Sequence, residues 1–328
     1  MSGPRHPFLI AYLDSLRAAG KGSTATTYAG YLARCEDWLD ESGIDASQVT
    51  TAQLRQYQRW LFETCRRRDG QPLATTTLAT CIIVVKSAYA WLFRQGRLLV
   101  NPAAVLVLPK RRTTLVVAKE HLSQQEAHAL IETAAALVAE SPVGASTWAR
   151  HSRNLALIAL SLSTGRRCLG LVSLRLEDIN LERSELRVAI EKGRMGRVLP
   201  VADWAVEAVR RYLDGPRQFL LGGDGQASPW LFVSQSDDRL CARGFAFALD
   251  VLVAETARRN PDLFDLPGKR ISTHSLRVTF AKLMHDHGCS IRSLNELMLH
   301  RSLSTTAAYT PLSVEDLRTA LLSVHPRA

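Results

Sequence analysis

The sequence predicts a mainly α protein of two modules. A compact four-helix N-terminal domain is followed by a larger mixed α+β domain with a small antiparallel sheet. Three observations predict this. Apolar residues recur at helical spacing through the first hundred positions. Two prolines and a basic cluster then interrupt the pattern in "NPAAVLVLPKRRTTLVVAKEHL". Beyond it, two strand-like runs, "SELRVAI" and "RVLPV", are joined by the turn "EKGRMG". At 328 residues the chain is long enough to bury two separate cores.

Each element has its own signals. The first helix, in "PFLIAYLDSLRAAG", stops at Gly20. Ser23 is expected to cap the second, in which Tyr28, Leu32, Cys35 and Leu39 share a face. Thr51 is expected to cap a third, with Leu54, Tyr57 and Leu61 together. The fourth runs from about Thr75, with Leu78, Ile82, Val85, Tyr89 and Leu92 inward. These make a domain over residues 1–105, and 106–118 read as an extended linker. The second domain, 119–328, opens on a capping box from Ser123 to Glu126. Another apolar helix is expected from about Asn154, running into "STGRRCLGLVSLRLEDI". The hairpin comes next, and helix alternates with loop to the end. In the last stretch Ser313 can cap a helix over 313–323, with Val314, Leu317 and Leu321 on one face. So short a helix is marginal alone and must dock on something.

Charge narrows the function classes. The net charge is +10 and the pI about 9.6. Residues 1–112 carry 15 Lys/Arg against 8 Asp/Glu, whereas 113–328 carry 26 against 23. A basic module ahead of a nearly balanced one suggests a polyanion partner. The candidate phosphate contacts are Arg55, Arg59, Arg66, Arg67 and Lys86, with Lys110 and Arg111 in the linker. Arg68 and Arg94 add to the same basic surface.

No apolar run comes near the ~20 residues of a membrane span, and the N-terminus has no signal-peptide core. The expectation is a cytoplasmic protein. Cys35, Cys65, Cys81, Cys168, Cys241 and Cys289 form no C-x-x-C pair and read as reduced core residues. "HDH" at 285–287 reads as a solvated helix end before Gly288 and not as a metal site.

The chemistry lies in "HSLRVTFAKLMHDHGCSIRSLNELMLHRSLSTTAAYT", residues 274–310. His274 and Arg277 are three apart and share a helix face. "SLSTTAA" breaks the helix after His300, with Ser304 as a new cap, so Tyr309 sits on a separate segment. Arg167 follows a Thr-Gly turn, and Lys192 is at the hairpin tip. Two arginines, two histidines, a lysine and a tyrosine suit attack on a phosphodiester. A tyrosine hydroxyl can act as nucleophile and leave a phosphotyrosyl ester, which stores the bond for resealing. Guanidinium groups grip the non-bridging oxygens in bidentate fashion. Lysine can protonate the departing 5′ oxygen, and histidine can relay a proton. The reaction needs no cofactor and no metal, and the sequence has no clustered carboxylates to hold one.

The C-terminal half resembles the tyrosine recombinase (phage integrase) family. "TGRR" matches its Thr-Gly-x-Arg, "EKGRMGRVLP" its lysine hairpin, "HSLR" its His-x-x-Arg, and "LHRSLSTTAAYT" its His-to-Tyr segment. The order and spacings are kept over about 120–328, and the first four helices look like the family's core-binding domain. The closing "HPRA" looks like the tail of Xer-type recombinases, which resolve chromosome dimers. The resemblance implies Tyr309 as nucleophile and Arg167 with Arg277 as the phosphate clamp. It implies Lys192 as general acid, and His274 and His300 as the supporting pair. Four positions depart from the family pattern. Leu299 stands where glycine is usual, Gly170 replaces an acidic residue, and Glu191 and Met195 alter the hairpin.

The expected function is site-specific cutting and rejoining of DNA strands through a 3′-phosphotyrosyl intermediate. The role is that of a mobile-element integrase or resolvase, or of an Xer-type dimer resolution enzyme. The competing readings are a catalytically silent DNA-binding architectural or regulatory protein with the same fold, and a type IB topoisomerase. The expected partner is double-stranded DNA carrying a specific recombination site. The uneven charge and the linker predict a C-shaped clamp around it. The tail is expected to link a homo-tetramer on paired DNA sites, from a chain that can be monomeric when free. A second recombinase or an accessory protein fits the same scheme. The expected location is the cytoplasm, associated with the nucleoid, with no membrane partner.

Overall fold

The computed structural model describes residues 3–67, 69–109, 120–190, 194–222, 227–235, 238–263 and 269–299. The chain divides into two compact units, Met1–Val116 and Val117–Ala328.

The first unit is four helices: α1 (Pro7–Ala18), α2 (Gly22–Glu41), α3 (Thr51–Glu63) and α4 (Thr75–Arg94). Gly20 takes φ 69° just past α1, the left-handed stop that glycine supplies without strain. Two caps differ from expectation by position. Ser23 lies inside α2, which starts at Gly22 without a side-chain cap. The third helix is capped by Thr50 and not Thr51, because Thr50 and Gln53 satisfy each other's backbone N–H groups reciprocally. Leu32, Cys35, Leu39, Leu54, Tyr57, Leu61, Ile82, Val85, Tyr89 and Leu92 are buried. Each fully buried leucine contributes about 1.5–3 kcal/mol. Tyr28 and Leu78 are half-buried at the margin.

By length and composition α4 could cross a membrane, contrary to the expectation that no apolar stretch comes near that length. Its apolar residues are instead the core of this unit, with Cys81, Ile82, Val84, Val85, Ala88, Tyr89 and Leu92 enclosed. Ala103 and Leu106 are buried in the same core, so the chain remains part of this unit through Leu106. The linker beyond Pro109 lies outside the described residues.

The second unit is built on α6 (Ser146–Thr164), which packs against α5 (Gln124–Ala139). The Ser123–Glu126 capping box opens α5 as expected. Helix α6 begins eight residues ahead of the expected Asn154, with no side-chain cap to mark its start. Its early turns carry Trp148, Arg150, His151 and Arg153, which hide the apolar period. Arg153 is nevertheless buried, its Nη1 donating to the Val233 carbonyl at 3.0 Å. Next come α7 (Cys168–Val172), a 3-10 turn (Leu176–Asp178) and a three-stranded antiparallel sheet in the order β1-β2-β3.

Strands β2 (Glu185–Ile190) and β3 (Arg194–Pro200) are the two expected runs, while the short β1 (Ile179–Asn180) was not legible. Strand β3 starts earlier than expected and takes in Gly196. A Cβ at Gly196 would lie 3.2 Å from the Val188 carbonyl, beside the register shift between Val188 and Ile190. This glycine serves a bulge, not a turn. Helices α8 (Asp203–Leu213), α9 (Pro216–Leu220), α10 (Ala242–Arg259), α11 (Thr273–Asp286) and α12 (Ile291–Leu297) complete the described part. The expected tail helix over 313–323 lies outside the described residues.

The cysteines are free, and Cys35, Cys65 and Cys81 are core residues. Cys241 is not: it is exposed and caps α10, its Sγ accepting from Gly244 N at 3.3 Å. The "HDH" stretch is a helix end, with His287 as the C-cap of α11 and its Nδ1 2.8 Å from the Leu283 carbonyl oxygen.

Candidate active site

The site starts from a glycine. Helix α6 ends at Thr164, and Gly165 turns the chain at φ 59° into Arg167, the N-cap of α7. A Cβ on Gly165 would stand 2.3 Å from Cδ1 of Phe280 on α11. Both the left-handed backbone and the close approach of that ring exclude a side chain here. The Thr-Gly pair therefore lets α6 end directly against α11, which fixes where the following arginines emerge.

Arg277 joins three segments. It is buried at 1% exposure on α11, in a run from Ser275 to Ala281 that is enclosed throughout. Its Nη1 donates to the Gly165 carbonyl. Its Nη2 donates to the Met298 carbonyl at 2.9 Å. A buried cation needs such acceptors, because an unsatisfied charge out of water costs several kcal/mol. One guanidinium thus holds the turn before Arg167, the helix bearing His274, and the chain two residues ahead of His300. A planar fork can do this, whereas a lysine ammonium presents a single point of attachment.

Smaller contacts fix the same frame. Ser272 and Ser275 form a capping box that starts α11, so His274 lies in its exposed first turn. Thr273 lies close to the Cys168 thiol, which burial pushes up from its ordinary pKa, so the starts of α7 and α11 are adjacent. Thr279 accepts from Leu122 N at 2.9 Å and donates to the Ser275 carbonyl at 2.9 Å. Arg197 on β3 pairs with Glu296 on α12, which ties the hairpin to the helix leading toward His300.

Of the six expected catalytic residues, Arg167 and His274 are exposed and Arg277 is the enclosed brace. Lys192, His300 and Tyr309 lie outside the described residues. Ile190 pairs with Arg194 across the hairpin, which leaves only residues 191–193 to connect the strands. Leu299 takes φ 53°, a conformation that favours glycine, and it packs on the domain core. Two residues near the site were not singled out from the sequence: Phe280, whose role depends on a long-range approach, and Arg166. The doubled arginine of "TGRR" was the signal for the second.

In the first unit, Arg55 and Arg59 are exposed one turn apart on α3, with no hydrogen-bond or ion-pair partner among the described residues. The others are engaged. Arg66 donates to the Cys65 and Glu63 carbonyls, and Arg67 pairs with Asp69 at 2.9 Å. Lys86 is half-buried and donates to the Ala104 and Leu106 carbonyls at 2.9 and 2.7 Å. Lys110 and Arg111 lie outside the described residues.

Comparison with known proteins agrees in sequence and in fold. Residues 119–315 match the phage integrase family, and 9–96 match the phage integrase N-terminal SAM-like domain. A tyrosine recombinase XerC of Pelobacter propionicus is 34% identical over 284 residues, covering 86% of this chain and 82% of that protein. One named XerC from Bacillus licheniformis is 30% identical over 325 residues, covering 98% and 97%. Among solved structures, XerH recombinase bound to its difH substrate before cleavage superposes with a TM-score of 0.66. That match has 17% identity and covers 92% of this chain and 79% of the other.

Proposed function

This chain belongs to the phage integrase family, and from that membership we propose a tyrosine-type site-specific recombinase that breaks and rejoins DNA. The reading is carried by the Arg277 brace, which draws the turn before Arg167, the His274 helix and the approach to His300 into one place. In it Tyr309 attacks the scissile phosphate and forms a 3′-phosphotyrosyl ester, releasing the 5′ oxygen, which Lys192 protonates. Arg167 and Arg277 hold the non-bridging oxygens, with His274 and His300 in support. Each preorganised donor of this kind is worth about 3–4 kcal/mol in the transition state. In this role Arg277 acts doubly, as brace and as clamp.

The DNA partner is a duplex with a specific site, and each unit supplies phosphate contacts of its own. Arg55 and Arg59 are the basic residues of the first unit best supported as phosphate contacts, since their side chains are exposed. The tail after Tyr309 serves assembly of four subunits on paired sites. Truncation after Thr310 is expected to spare single-site binding and abolish recombination. The relatives named XerC and XerD, which match along nearly the whole chain, support an Xer-type role in the cytoplasm over integration of a mobile element.

The test is a duplex selected on the full-length protein from a random library, then nicked near the cut so that the released piece is lost. The wild type should form an adduct that survives denaturant, equally in EDTA and in magnesium. Tyr309→Phe should bind the duplex and form none. An adduct with the phenylalanine variant would reassign the nucleophile. Binding without any wild-type adduct would leave only the silent DNA-binding role.

A further inference from the structure

Arg166 precedes the exposed Arg167 and is placed quite differently. Its guanidinium lies over Gly170, where a Cβ would stand 2.9 Å from Nη2 and 3.5 Å from Cζ and Nε. Gly170 therefore provides the space this side chain occupies. Nε is sealed from solvent and has no hydrogen-bond partner among the described residues. Burial, and then the like charge of Arg167, lower its pKa to about 10, and no carboxylate among the described residues acts against them. The side chain still carries its charge at neutral pH.

A half-enclosed cation beside a second cation is unfavourable unless an anion compensates it. An acid at position 170 would do so, but this chain has glycine there. The same turn presents Arg167 and is braced by Arg277, so a DNA phosphate held by those two, as proposed above, is the anion nearest to hand.

We propose that Arg166 is a positioning residue of the phosphate site, uncompensated among the described residues and compensated by the scissile phosphate. It acts through space and through Arg167, strengthening the positive field in which the phosphate and its transition state are held. The inference rests on the recombinase reading above.

The test uses the same selected duplex and the full chain. Arg166→Met keeps the aliphatic stem and removes the charge. Gly170→Glu supplies the missing acid, at small steric cost because it meets only the far end of a flexible side chain. Both should form the covalent adduct about tenfold more slowly, the scale of one charge acting at close range in a partly screened site. The melting temperature should stay level or rise in Arg166→Met, since an unfavourable burial is relieved. Replacing the scissile phosphate by an uncharged methylphosphonate should cost the wild type several-fold in affinity and Arg166→Met clearly less. Adduct formation by both variants within twofold of wild type would overturn the proposal. So would slower reaction with a lowered melting temperature and an unchanged methylphosphonate penalty, which marks a structural role. A wild type that forms no adduct is a separate result: it removes the recombinase reading, and this inference with it.

Discussion

At Gly165 two constraints coincide, a φ of 59° and a Phe280 ring where a Cβ would go. An alanine there is strained by about 1–2 kcal/mol from backbone alone. Overpacking against the ring adds about 1–3 kcal/mol. Gly165→Ala is therefore expected to lower stability by about 2–5 kcal/mol in denaturant titration. Adding Phe280→Leu should recover part of it, the steric share only; no recovery would mean the ring is not the obstacle. Leu299 is the opposite case, a side chain kept at φ 53° by its packing. Leu299→Ala loses the packing and keeps the strain, while Leu299→Gly loses both. The glycine variant should thus be the more stable of the two by about 0.5–1 kcal/mol, the reverse of the order in a helix interior. Equal or inverted melting temperatures would show that the position does not hold a left-handed backbone.

Helix α11 is the element on which the site turns, because it is enclosed from Ser275 to Ala281 and holds a charge inside. Arg277→Lys keeps the charge but cannot reach the Gly165 and Met298 carbonyls together. A lost hydrogen bond to a charged group costs about 1.5–3 kcal/mol. The expected outcome is a stability loss of that size, and a cleavage rate that falls far more than duplex affinity. A lysine variant that melts and cleaves like the wild type would refute both the brace and the clamp. The Arg197–Glu296 pair also links elements, but both side chains are about half exposed, so it contributes about 0–1 kcal/mol. Its value is in register between hairpin and α12 more than in stability.

On the scale of the whole chain, the first unit carries most of the excess charge and the second carries the candidate chemistry. Each has its own buried core. Binding by the full chain should weaken steeply with salt, log affinity falling by about 0.9 per log unit of salt for each phosphate neutralised. A fragment from residue 118 onward should bind more weakly and with a shallower slope. Equal slopes for fragment and full chain would assign all phosphate contacts to the second unit and leave Arg55 and Arg59 without a role in binding.

The helices of the first unit, the Ser123 cap and the paired strands were legible in the sequence, because each depends on neighbours within a turn or two along the chain. The family itself was legible too, from four short motifs in order. The start of α6 was not, since its buried Arg153 interrupts the apolar period and finds its acceptor 80 residues away. The roles of Gly165 and Gly170 were hidden for a related reason. A glycine in a sequence shows only that no side chain is present. Phe280 over one and Arg166 over the other show what takes that space. Arg277 was read as part of a phosphate clamp, and the tertiary structure adds that it braces carbonyls 112 and 21 residues distant in the chain. Local periodicity and motif order determined the kind of molecule. Long-range approach, which spacing does not encode, decided which side chains hold the site together.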